Sequence, residues 1–181
     1  HLAAEILEQW KIPEGMAKQL SKFPNERYAD SAEAIADLVR VQVTALDGLK
    51  KKLGAPLGRQ TKGHPQPYQA EAWRSDATLS SIEATISGAQ RLWQGADNDG
   101  LRQLLNSDQA EIASRIDGAY EAVFQELNDL GQPFSKLIAE QSGRDRLNTL
   151  YERIDNLHRL HQGELARALN IQIGFNAHDG D

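Results

Sequence analysis

Apolar residues recur along this chain at intervals of three and four. From Asp30 the positions Ile35, Leu38, Val39, Leu46, Leu49 and Leu53 draw one stripe, the signature of an amphipathic helix. Asp30 followed by Glu33 predicts a capping box at its start, and Gly54 then Pro56 predict its stop. A second stripe, Leu79, Ile82, Ile86, Ala89 and Trp93, opens near Ser75 or Asp76 and closes at Gly95. The third runs Ile112, Ile116, Ala119, Val123, Leu127 and Leu130, with Asp108 and Glu111 as the expected cap pair and Gly131-Gln132-Pro133 as the stop. The fourth runs Leu147, Leu150, Ile154, Leu157, His161, Leu165 and Ala168. Shorter helices are expected before Pro13 and at residues 15–23, 100–106 and 133–141, and strand signals are absent. Four long amphipathic helices with short loops predict an all-α, up-and-down helical bundle, one domain spanning residues 1–181.

Two segments resist helix assignment: residues 57–68, with Gly58, Gly63, Pro65 and Pro67, and the tail 171–181, with Gly174 and Gly180. The first reads as an irregular crossover between helices. Both are places where function sits when an irregular segment is held against a helical scaffold. The 181 residues carry 20 Lys+Arg against 26 Asp+Glu, a formal charge of −6. A phosphate-tracking surface needs a basic excess, so nucleic acid is not the expected partner. Without a cysteine there is no disulfide, thiolate metal site or cysteine nucleophile. No stretch approaches the roughly 20 apolar residues of a membrane-spanning helix. The start at His1, without Met or a basic-then-apolar leader, reads as a chain that was processed, trimmed or cut from something longer.

Three groups of side chains could carry chemistry. His158, His161 and Glu164 resemble an incomplete ligand set for a divalent metal, but on a regular helix they fan more broadly than one ligand face, and His161 occupies the apolar stripe. The spacing favours a hydrogen-bonded core histidine over a metal ligand. Glu71, Arg74 and Ser75 precede a helix whose free amides can hold an anion; Arg74 offers a planar fork for a carboxylate, and Glu71 lies within pairing distance in a helical turn. The competing account of this trio is a cap with a surface ion pair, with Trp73 as a packing anchor. In the tail, Asn176, His178, Asp179 and Asp181 offer oxygen and nitrogen to a hard cation, and Phe175 could pin the segment beside Arg74, with Asp179 or Asp181 as its carboxylate. A solvated chain end explains the same residues. Phosphate-loop, dinucleotide, serine-elbow and zinc-protease motifs are missing.

The order NERYADSAEAIADLVRVQVTALDGLKKKLGAPLG, then PYQAEAWRSDATLSSIEATI, then ALNIQIGFNAHDGD is similar to the carboxy-terminal half of the imelysin family. The likeness is strongest at Glu71-Ala72-Trp73-Arg74-Ser75 and at Gly174-Phe175-Asn176 through Asp179-Gly180-Asp181. It implies one half of a paired-bundle protein of the bacterial envelope, periplasmic or outer-membrane-anchored through a leader or lipid-bearing Cys upstream, and linked to iron uptake. One member of the family was described as a metallopeptidase. The family's Gly-x-His-x-x-Glu motif belongs to the amino-terminal half; His161-Gln162-Gly163-Glu164 lacks its glycine, Arg159 standing there, and His1 with Glu5 has the wrong spacing. The resemblance therefore implies no catalytic residue and no cofactor held by this chain alone, with iron or another divalent metal belonging to the full-length protein. It assigns Glu71, Arg74, Ser75, Asn176, Asp179 and Asp181 to one wall of a cleft between two bundles. The implied partners are the amino-terminal half, iron or an iron chelate, and other iron-uptake components. Two alternatives stay open: a metal-dependent peptidase completed by the missing half, and a helical scaffold for a protein or envelope polymer.

Overall fold

A computed structural model describes residues 2–173, and among them every regular element is helical. The chain divides into two compact units, residues 1–40 and 41–181, with the boundary inside one long helix.

In the first unit, α1 (Leu2–Lys11) and the single turn α2 (Met16–Gln19) precede a loop organised by one side chain. The Asn25 amide donates to the carbonyls of Gln19 and Lys22, and its oxygen accepts from the amides of Arg27 and Tyr28. All four hydrogen-bonding positions of that side chain are thereby used locally. Tyr28 donates to Asp37 at 2.7 Å. The helix α3 (Ser31–Gly54) opens as the sequence predicts: the Glu33 amide donates to Asp30 at 3.0 Å. The Glu33 carboxylate reaches one residue further back than a capping box requires, accepting from Ala29 at 2.7 Å. The α1 helix leaves Leu2, Ile6, Leu7 and Trp10 exposed.

In the second unit, residues 41–54 of α3 join α4 (Thr78–Gln94), α5 (Ala110–Leu130) and α7 (Gln141–Arg159), with the short α6 (Phe134–Ala139) before α7. Leu46, Leu53, Ile82, Ile86, Ile116, Leu147, Leu150, Ile154 and Leu157 form a core almost sealed from solvent. These are the stripe positions of the sequence, and burying each contributes about 1.5–3 kcal/mol. The helices α5 and α7 run antiparallel: Arg115 pairs with Glu164 near one end, and the Arg146 guanidinium donates to the Asp129 carbonyl near the other.

Three local expectations are corrected. The start of α5 is capped by Asn106 and Gln109 in a reciprocal box around a 3₁₀ turn, rather than by Asp108 and Glu111. The expected helix at residues 100–106 is a 3₁₀ turn over Leu101–Leu104. The fourth stripe does not stay α-helical: α7 passes into a π turn at Leu160–Leu165 before α8 (Ala166–Ala168). Gly131 ends α5 in the left-handed conformation, as its place in the stop signal predicts.

The crossover after α3 is a hydrogen-bonded loop. Gln66 donates its amide to Pro56 at 2.7 Å, and Gly63 closes onto Gly58 at 2.9 Å. Gly58 has φ +79°, and a Cβ there would meet the His64 carbonyl oxygen at 2.2 Å. Only glycine fits that turn.

Candidate functional site

The segment between the crossover and α4 carries the sequence's best candidate. A 3₁₀ turn at Pro67–Gln69 and the buried Ala70 lead into it. Ala72 and Asp76 are both left-handed, at φ 57° and 53°, so the backbone reverses on either side of Trp73, Arg74 and Ser75. Tethers hold these reversals: Glu71 pairs with Lys52 at 2.7 Å, Thr78 donates to the Glu71 carbonyl at 2.6 Å, and Asp76 accepts from the Ser135 amide and hydroxyl at 3.1 and 2.6 Å. The result is a loop pinned to α3, α4 and α6 whose middle faces outward.

Glu71, Arg74 and Ser75 are all exposed. The Glu71 carboxylate goes to Lys52, so the Glu71–Arg74 pair expected from spacing is replaced by a contact to α3. Arg74 is exposed, and its guanidinium lies 4.4 Å above the Trp73 ring. Ser75 turns its hydroxyl back onto the Ala72 carbonyl. Nor does α4 open at Ser75 or Asp76. It begins at Thr78 with Ala77 in the cap position, because Asp76 is spent on α6.

Beside the loop lies a pocket of about 340 Å³, lined by Pro67, Tyr68, Trp73, Phe134, Ile138 and Ala139 together with Asp76 and Ser135. Tyr68 is 75% exposed and meets Trp73 edge to face, centroids 4.9 Å apart. Large aromatic rings left open to solvent beside an apolar hollow are the usual furniture of a binding site.

The histidines sit elsewhere. His161 is fully buried, with Nδ1 3.0 Å from the Leu157 carbonyl. A carbonyl only accepts, so Nδ1 carries the proton and Nε2 is the acceptor. Tyr120 donates to that Nε2 at 3.4 Å. Gln42 spends both amide hydrogens, on the Ala89 carbonyl at 2.8 Å and the Tyr120 oxygen at 2.7 Å. Trp93 and Tyr120 each meet the imidazole edge to face. Burial pushes the His161 pKa down to about 4, the Leu157 hydrogen bond offsetting part of the effect. The imidazole is neutral at pH 7.

His158 turns to a second cluster, on the seam between α3 and α7. The Lys50 ammonium lies 2.8 Å from Asp155, 3.6 Å from Asp47 and 3.3 Å from His158 Nδ1. Burial and the Lys50 charge lower the His158 pKa. Burial raises the carboxyls of Asp47 and Asp155, but lysine hydrogen bonds and charges outweigh it and leave both below their ordinary value.

Glu164 pairs with Arg115 at 2.7 Å. His158, His161 and Glu164 thus face three different partners, and that donor set does not fit a metal ion. Among the described residues no three His, Asp or Glu side chains come together as a metal-holding group, and no helix is long and apolar enough to cross a membrane. Phe175, Asn176, Asp179 and Asp181 lie outside the described residues. Gln42, Tyr120, Tyr68 and Phe134 were not singled out from sequence. The first two carried a signal: each falls on an apolar stripe, Gln42 between Val39 and Leu46 and Tyr120 between Ile116 and Val123.

A family model described as Imelysin, under a peptidase label, matches residues 1–161. No curated protein and no solved structure matches the chain.

Proposed function

The chain belongs to the imelysin family, and from that premise we propose that it is a binding module of a cell-envelope protein that handles iron or another metal, forming one wall of a cleft completed by an amino-terminal half. The observation that carries this reading is the outward presentation of Trp73, Arg74 and Ser75 on a loop pinned at both ends. A pinned loop on a helical scaffold positions side chains without the entropy cost of ordering them on binding. The metal ligands belong to the other half, and this half supplies shape and a guanidinium for an anionic chelate or carboxylate. The exposed apolar face of α1 supports a protein partner for that helix, which in this reading is the amino-terminal half. The periplasm or the outer membrane is the compartment.

Calorimetry of the full-length protein with ferrous and ferric iron and with ferric citrate tests this. Saturable binding is expected, weakened about tenfold by Arg74→Lys without a change in melting temperature, because the fork is lost while the charge stays. Absence of saturable binding to any of the three would overturn the metal reading in favour of a scaffold. The peptidase label of the family supports a second reading, in which the other half supplies His and Glu for metal-dependent hydrolysis. Chelator-sensitive cleavage of a peptide by the full-length protein would favour it.

A further inference from the structure

We infer that the pocket bounded by Tyr68, Trp73 and Phe134 binds the head of a small free quaternary ammonium compound, held by aromatic faces and by the carboxylate of Asp76. This goes beyond metal handling and does not rest on it.

Tyr68 and Trp73 stand at 76° to each other with centroids 4.9 Å apart, an edge-to-face pair that lines the pocket. Phe134, only 2% exposed, lines the same pocket. The face of each ring carries the negative lobe of its quadrupole, so a pocket lined by aromatic rings attracts positive charge wherever a ring face is open to it. Among the described residues, the only charged side chain lining the pocket is Asp76. Both of its oxygens accept from Ser135, whose amide and hydroxyl are neutral, so the carboxylate is held in place without a cationic partner in these bonds. Trp73 already shows this preference, since the Arg74 guanidinium rests 4.4 Å over the ring while Arg74 itself does not line the pocket.

The kind of cation follows from what the walls lack. A hydrated metal ion or a primary ammonium would surrender several hydrogen bonds to water and find one carboxylate, Asp76, and the hydroxyls of Ser135 and Tyr68 in return. A quaternary ammonium has no N–H to satisfy, and its methyl groups gain from apolar and aromatic contact. The volume, about 340 Å³, is at the small end of ligand sites and suits one such head.

Choline chloride, titrated into the full chain and followed by calorimetry and by chemical-shift changes at Trp73, tests the assignment. Saturable binding is expected, at least tenfold tighter than for the neutral tert-butyl analogue in which carbon replaces the ammonium nitrogen. Asp76→Asn should weaken it about tenfold, since asparagine tolerates the left-handed backbone and can still bond Ser135. Trp73→Ala should abolish it, and Trp73→Phe should leave it weakened. Equal affinity for the neutral analogue, or binding unchanged in Asp76→Asn, would overturn the inference. So would no saturable binding, or binding to phosphatidylcholine vesicles without binding to free choline.

Discussion

Two regions of the second unit hold aromatic rings beside polar groups, and they differ in whether the polar groups are finished. Around His161, every hydrogen of the Gln42 amide, the Tyr120 hydroxyl and the imidazole Nδ1 has an acceptor inside the protein. Around Trp73, the rings of Tyr68 and Trp73 stand partly in solvent and Arg74 has a ring face beneath its guanidinium. A closed polar layer is costly to disturb, because a buried donor or acceptor left alone costs about 1–3 kcal/mol. An open one costs little to disturb and keeps its capacity for something else. His161, which its place on the apolar stripe assigned to the core, lies in the closed layer, and the tryptophan expected to be a packing anchor sits where a ligand can reach it.

The contrast is broken most directly by truncation. His161→Ala should destabilise the chain by about 3–5 kcal/mol, combining a cavity with the loss of partners for Tyr120. Trp73→Ala should cost about 1 kcal/mol. Urea denaturation measures both, and equal losses would show that the loop is as integral to the fold as the layer.

Acid should act on the closed region in the same sense. The His161 pKa is about 4 in the folded chain and about 6.5 in an unfolded one. Between those values the unfolded state binds the extra proton, so stability falls as pH drops through this window. The loss from this group alone is about 2 kcal/mol between pH 7 and pH 5. His158, also lowered, adds in the same direction. Asp47 and Asp155, held below the usual carboxylate value, withdraw their contribution only in stronger acid. Melting temperature against pH checks the slope, which His161→Gln should flatten.

The seam of Lys50 lies between the two regions in burial and should lie between them in cost. Lys50→Met removes the cation shared by Asp47, Asp155 and His158, with an expected loss of about 1 kcal/mol. His158 should then titrate at higher pH and both carboxyls should rise, readable by NMR. A His158 titration unmoved by the substitution would show that Lys50 does not face it in solution.

The long helices were legible because their burial is periodic, and each stripe residue from Leu46 to Leu157 repeats a rule that needs no tertiary knowledge. The ends were less so. Asp76 reads as a cap for α4, but Ser135, 59 residues away, offers an amide and a hydroxyl together. No local pattern records such a partner. The position of His161 was legible as a stripe residue, while its angle to His158 and Glu164 was not, because a π turn breaks the assumed 100° per residue. The pocket brings together Tyr68, Trp73 and Phe134, residues 66 positions apart at their extremes. Their meeting is a product of the fold.

The smallest expected effect bears on Arg74, where an organising role and a surface role part company. If Arg74 held the loop in place, removing it would release Trp73 and disturb Ala72 and Asp76, whose left-handed backbones are each strained by about 1 kcal/mol. The tethers argue otherwise. Lys52 holds Glu71, Ser135 holds Asp76, and Thr78 holds the Glu71 carbonyl, so the reversals are fixed without the guanidinium. What Arg74 contributes to the fold is one exposed cation–π contact, about 0.5–1 kcal/mol at most. Arg74→Ala should therefore lower stability by about 0.5 kcal/mol and leave the shifts of Ala72 and Asp76 in place, while Arg74→Lys should change stability still less. A loss beyond about 2 kcal/mol, or displacement of the Asp76 resonance from its Ser135-bonded position, would move Arg74 from the open region into the framework and erase the distinction drawn between the two.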